Sequence, residues 1–337
     1  MTIVGGYRKY KEISFLRGFS ITTVVLMHLL QVFVAYGEIP HLLRLAASLG
    51  GTGGHVFVFC SGFGLYLSYL RTPIGVGIFF KKRFLKIYIP YIIFIIIEFF
   101  LPHTADQSIL IKQLLSHIFL YKMFFEKYII SYGLQFWFIS AIIQLYLLFL
   151  PLCILRKKIS MHGLAIVGVV ISISWWVMME YTGFSAKRIW GSFCLQYLWE
   201  FILGMAAAEF FYSRDKVNIP LWVLWCTSVI GLSLQAILAI KGGWFAVFND
   251  IPALFGYGSA ALLLWFYGKQ VLRPLFLWID GFSYEWYLVH ITVFARFYGS
   301  IRQYLSSELL LALLAMLISI AVAWLYSKLI RYFVKML

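Results

Sequence analysis

Carboxylates are scarce in this sequence. Only 13 Asp and Glu stand among 337 residues, and charged residues of both signs make up 12%. A water-soluble domain of ordinary composition carries about twice that share of charge, so a soluble globular class is excluded. Cysteine is equally sparse. Cys60, Cys153, Cys194 and Cys226 sit singly in apolar runs with no CxxC spacing. That excludes a disulfide framework and a cysteine metal site, and leaves the four to be read as buried thiols. No metal is expected. The first apolar run is too long for a signal-peptide core and lacks a small-residue cleavage site, so no cleavable leader is expected. The glycine-rich stretch GGTGGH (50–55) lacks the GK[ST] ending of a phosphate loop. It reads as a tight, flexible lead-in to a helix.

What the chain has is apolar length: 63% hydrophobic and 20% aromatic residues. Runs of roughly 17–25 apolar residues can cross the ~30 Å hydrocarbon core as helices. Ten such runs are legible, at about 13–36, 53–71, 87–101, 134–155, 162–181, 190–211, 220–240, 251–268, 281–299 and 308–332. The expectation is an all-α polytopic membrane protein of about ten transmembrane helices, with residues 1–337 as a single domain. Between the third and fourth runs, the 102–133 connection has the mixed periodicity of an interfacial helix.

The net charge of +15 invites a nucleic-acid reading, but its distribution answers it. With the N-terminus placed in the cytoplasm, 19 of the 28 Lys and Arg fall in inward-facing segments and 9 in outward ones. This is the positive-inside bias of a membrane protein with both termini cytoplasmic. No nucleic-acid partner is expected.

Against that apolar background the polar intrusions carry the information. Arg17 and His28 are eleven residues apart, about three helical turns plus 20°, and therefore share one stripe of the first helix ~16 Å apart. Arg17 alone would satisfy the positive-inside rule by snorkelling, and His28 alone could be a core histidine bonded to a carbonyl. Together they suit a cavity entered from the cytoplasm, since intramembrane ionisable groups cost ~2.5 kcal/mol or more to insert. Glu200 lies near the centre of the sixth run, while Glu98 and Glu209 lie closer to helix ends. The ninth run carries Ser283, Tyr284, Glu285, Tyr287 and His290, so that helix is expected to line the interior. FFKKRFLKIYIPY (79–91) places Lys82, Arg83 and Lys86 on the cytoplasmic face. Such a cluster suits a polyanion such as a nucleotide diphosphate as well as topology.

Taken in order, these segments resemble the acyltransferase-3 family of bacterial membrane proteins over nearly the full length. Arg17-x10-His28 is similar to its signature, and GGHVFVFCSGF (53–63), with Ser61, to its second-helix motif. KKRFLKIYIPY (81–91) resembles its Arg-x-x-Arg segment and QFWFISAIIQLY (135–146), with Trp137, its Trp-Phe motif. FSYEWYLVH (282–290) resembles its closing Ser-Tyr-x-x-Tyr-Leu-x-His. His55 stands where that family frequently has an acidic residue, and Lys86 replaces the second arginine after Arg83. The resemblance implies an O-acyltransferase of the bacterial plasma membrane. It would move an acyl group, usually acetyl, from cytoplasmic acyl-CoA to a hydroxyl of a cell-envelope glycan, lipid-linked glycan or similar acceptor. Acetyl-CoA would be a donor substrate, with no tightly bound cofactor. His28 and Arg17 would be catalytic, and Arg83, Lys86 and Lys82 would hold the donor. Ser61, Trp137, Glu200, Tyr284, Glu285 and His290 are the remaining expected cavity residues. A transporter or flippase for a polysaccharide or lipid intermediate, or a non-catalytic export partner, is the rival reading of the buried charges.

Overall fold

The computed structural model describes residues 10–34, 49–102, 106–214, 219–241, 248–305 and 307–336, and contains helices and turns but no strand among them. Four cations of the topology count (Arg8, Lys9, Arg44 and Lys216) and residues 35–36 of the first expected span lie outside the described residues. In chain order the helices are α1 (Lys11–Val34), α2 (Gly53–Arg71), α3 (Val76–Arg83), α4 (Ile89–Phe100) and α5 (Gln107–Ile118). They continue with α6 (Trp137–Lys158), α7 (Met161–Tyr181), α8 (Leu198–Tyr212) and α9 (Leu221–Lys241). The last four are α10 (Asp250–Tyr267), α11 (Leu272–Asp280), α12 (Ser283–Ile301) and α13 (Glu308–Met336).

Among the described residues six segments are long and apolar enough to cross a membrane: Lys11–Val32, Leu49–Arg71, Leu134–Lys158, Met161–Tyr181, Leu221–Lys241 and Glu308–Met336. The other expected spans are shorter or more polar. α4 has 12 residues, and α12 carries Glu285, His290 and Arg296. Apolar side chains stay on the outside: Trp222, Val229, Ile230 and Ile240 are all exposed along α9, as a lipid-facing surface requires. Cys226 is exposed on that same helix, so only Cys60, Cys153 and Cys194 are buried as expected.

Two local departures from the sequence reading bear on the site. α3 and α4 are joined by a π-helical turn, Phe84–Tyr88, in which Ile89 N–H donates to the Phe84 carbonyl. Pro90 in the first turn of α4 has no N–H to continue the regular ladder. The sixth helix begins at Leu198 rather than 190, so Glu200 lies in its first turn. Side chains draw the preceding backbone out of the helix. Cys194 N–H donates to Gln144 Oε1 at 3.1 Å, and Ser172 Oγ donates to the Leu195 carbonyl at 2.7 Å.

The packing sets relative directions. α2 and α8 run parallel: His55 meets Glu200 near their starts and Tyr66 meets Glu209 farther along. They approach closely because Gly62 and Gly204 lack side chains. A Cβ on Gly204 would lie 2.1 Å from the Phe59 carbonyl oxygen, and one on Gly62 would lie 2.0 Å from that of Phe201. α4 and α12 are also parallel, with Tyr284 donating to the Ile87 carbonyl at 2.7 Å and Thr292 donating to Glu98 at 3.1 Å. α12 and α13 are antiparallel, with Trp286 donating to Ser319 and Tyr298 to Glu308. α9 and α10 are antiparallel as well: Thr227 donates to Ser259 and Trp225 to Tyr267.

Candidate functional site

α1 and the α11–α12 segment form the wall of the site. Gly18 allows their contact, since a Cβ there would lie 1.9 Å from the Phe276 carbonyl oxygen. With the backbones this close, Arg17 Nε reaches Asp280 Oδ1 at 3.0 Å. Eleven residues further along α1, His28 Nδ1 lies 2.8 Å from His290 Nε2, with the rings 5.0 Å apart and 22° from parallel. The ion pair joins α1 to the end of α11 and the histidine pair joins it to α12, so the two are successive rungs on one side of α1. The shared stripe of Arg17 and His28 is therefore one face, turned towards α11 and α12.

The histidine pair has a defined polarity. His290 is fully buried, and its Nδ1 lies 2.9 Å from the Trp286 carbonyl oxygen. A carbonyl can only accept, so His290 Nδ1 carries the proton and neutral His290 presents a lone pair at Nε2. That lone pair accepts from His28 Nδ1–H. His28 is thereby held as the tautomer whose Nε2 is an acceptor, and no described residue occupies that atom. His28 lines a cavity of about 1300 Å³.

Arg17, Arg83, Lys86, Ser61, Trp137 and Tyr284 line the same cavity. Arg83 is held between the rings of Phe79 and Tyr146, 6.0 and 5.9 Å from their centroids, with its Nε buried and without a hydrogen-bond partner. Lys86 sits on the π-helical turn, outside every span. Its side chain is exposed to the open cavity, and desolvation of the ammonium, ahead of the guanidiniums of Arg17 and Arg83, lowers it to about 8. Among the described residues no carboxylate forms an ion pair with Arg83 or Lys86, whereas Arg17 has Asp280. Two cations without an ion-pair partner on a cavity wall are the kind of group that suits an anion.

The remaining expected residues divide. Lys82 is exposed and does not line the cavity, because the helical turn that points Arg83 inward points it outward. Glu285 is half-buried and also stands off the cavity, while His290 reaches it only through His28. Glu200 is fully buried behind the wall and bonds His55 Nδ1 through Oε1 at 2.6 Å. Glu98 and Glu209 are paired rather than reaching water freely: Glu98 with Arg296 at 3.3 Å, and Glu209 with Arg156 at 2.7 Å.

The tertiary structure adds further groups to the cavity and its walls. Asp280 lies on the unforeseen α11. Arg188, in a connection, places its guanidinium 4.2 Å from the Trp137 ring centroid. Tyr287 donates to the Gln135 carbonyl, and Gln135 Nε2 donates to the Leu288 carbonyl at 3.1 Å. These bonds fasten the turn that leads into α6 to α12. Asp250 joins His55 and Glu200 from 50 and more residues away.

Comparison with curated proteins and with solved structures returns no match. The family model described as Acyltransferase domain matches residues 10–328, nearly the whole chain and every residue of the cavity. The chain belongs to the acyltransferase-3 family.

Proposed function

We propose that this protein is an O-acyltransferase of the bacterial plasma membrane that moves an acyl group, acetyl in the first instance, from cytoplasmic acyl-CoA to a glycan or lipid-linked glycan hydroxyl. The observation that carries this reading is the shared cavity. His28, with an acceptor nitrogen selected by the His290 relay, and Arg83 and Lys86, neither with an ion-pair partner among the described residues, line one space. Cations suit the phosphates of coenzyme A, and a long thin arm suits the path from them to His28.

In the proposed reaction His28 Nε2 takes the proton of the acceptor hydroxyl as its oxygen attacks the thioester carbonyl. The carbonyl–sulfur bond breaks, and the coenzyme A thiolate leaves with the proton returned from the His28 imidazolium. His290 Nε2 holds the Nδ1–H of His28 throughout. Arg17, oriented by Asp280, adds positive charge beside the donor.

Ten crossings with both termini inside remain part of the proposal, and the relative helix directions support the order of the crossings. Counted as crossings, α2 and α8 are the second and sixth, and α4 and α12 the third and ninth. Each pair is parallel, as two even or two odd crossings must be. α9 with α10, and α12 with α13, are consecutive and antiparallel.

The test uses purified protein, radiolabelled acetyl-CoA and envelope glycan. Transfer is expected, with His28→Ala losing ~10²–10⁴-fold in kcat at unchanged donor affinity, as for a general base. Arg17→Ala is expected to act mainly on donor affinity. Moving the imidazole by one residue, as Met27→His with His28→Met, rotates it ~100° off the stripe and is expected to give no transfer. Full transfer by His28→Ala sinks the mechanism assigned to His28, and no transfer by the unaltered protein leaves the transporter reading.

A further inference from the structure

His55, Glu200 and Asp250 come from three helices, and one ligand atom from each lies within 4.8 Å of the other two. Glu200 Oε1 takes the Nδ1–H of His55 at 2.6 Å. This fixes the tautomer and aims the Nε2 lone pair away from Glu200. Nε2 faces Asp250 Oδ1 at 3.5 Å. That gap is too long for a charge-assisted N–H···O bond, which closes to ~2.7–2.9 Å. Two acceptors facing each other across it need an electrophile between them, a proton or a metal ion.

The gap has the width of a metal-ligand edge. Bonds of ~2.0–2.1 Å at a tetrahedral angle set two ligand atoms ~3.4 Å apart. The surroundings are short of donors. Fully buried Glu200 has no partner at Oε2, and Gln196 has none at Oε1 although its Nε2 donates to Asp250 Oδ2 at 2.6 Å. A carboxylate behind the imidazole, an imidazole, and a second carboxylate is the order in which a metal's outer and inner ligands are arranged. His55, Asp250 and Gln196 all line the cavity, which leaves coordination positions open to it.

We propose that this cluster binds one divalent transition-metal ion, zinc being the probe. His55 Nε2 and Asp250 Oδ1 are direct ligands, Gln196 supports Asp250 through its other oxygen, and Glu200 is the carboxylate that orients His55. The nitrogen–oxygen donor set favours zinc or cobalt over magnesium or calcium. The site is independent of the transfer chemistry assigned to His28.

The experiment strips full-length protein with chelator in detergent, dialyses it against Zn²⁺ or Co²⁺, and counts bound metal by mass spectrometry. About one equivalent per chain is expected, with the visible absorption of four- or five-coordinate Co²⁺. His55→Ala and Asp250→Asn are expected to lose it, and Glu200→Gln to weaken binding ~10–100-fold. His162→Ala, at the exposed start of α7, is expected to retain it. Asp250→Asn keeps the shape of the site and decides the matter if His55→Ala does not fold, and the Co²⁺ spectrum of the unaltered protein stands without any variant. Metal well below one equivalent in the unaltered protein, or undiminished in Asp250→Asn, overturns the proposal and gives the gap to a proton. No acyl donor is present, so a failed transfer assay and a failed metal site are separate results.

Discussion

His290 touches the proposed reaction only through His28, and that makes its substitution a sharp test. His290→Phe removes the acceptor for His28 Nδ1–H at 2.8 Å and the hydrogen bond to the Trp286 carbonyl at 2.9 Å. The His28 ring then loses what holds its tautomer and its plane. A net hydrogen bond stabilises by about 0.5–1.5 kcal/mol. At ~1.4 kcal/mol per factor of ten in rate, that alone slows the step roughly two- to tenfold. Misorientation of the base adds to this, so a loss of ~10–100-fold in kcat with little change in donor KM is expected. His290→Gln can accept through its amide oxygen and donate through its nitrogen, and should recover part of the rate. The decisive measurement is a double-mutant cycle in steady-state transfer. On a His28→Ala background, His290→Phe should cost nothing further, because a positioning residue has nothing left to position. Multiplicative losses in the double variant, or a loss confined to KM, would refute the relay.

Arg83→Ala should weaken acyl-CoA binding roughly tenfold or more in a direct binding assay, with Arg83→Lys losing less. Unchanged affinity would reduce the Arg83 and Lys86 cluster to topology. For orientation, single cysteines at positions 157 and 241, in a background without exposed Cys226, should be labelled from outside only at 241. Labelling at 157 would invert the topology. Lys122, in the 102–133 connection, is fully buried and donates at 3.0 Å to the carbonyls of both Ile129 and Phe136. Burial lowers its ammonium to about 7 from 10.5. The unfolded chain therefore binds the extra proton between these values, and stability should rise with pH from about 7 towards 10. Lys122→Met should flatten that rise in detergent melting curves, and an unchanged slope would contradict it.

The class of the molecule was legible from the sequence because its causes are local. Apolar runs of spanning length, the bias of Lys and Arg between alternate connections, and the eleven-residue spacing of Arg17 and His28 depend only on neighbours along the chain and the pitch of a helix. The parallel pairing of α2 with α8 and of α4 with α12 agrees with the parity of those runs. What the local signals cannot express is which faces meet. His28 needed His290, 262 residues away, and Arg17 needed Asp280 on a helix the hydropathy did not resolve. Lys82 and Lys86 look alike in a basic run, but the π-helical turn at Phe84–Tyr88 turns Lys86 inward and leaves Lys82 outside. Glu200 looked like a mid-membrane charge until side-chain bonds from Gln144 and Ser172 moved the start of its helix. His55, Glu200 and Asp250 carried no shared spacing at all. Their convergence depends on the backbone contacts that Gly62 and Gly204 permit between α2 and α8, and such contacts form only when the helices pack.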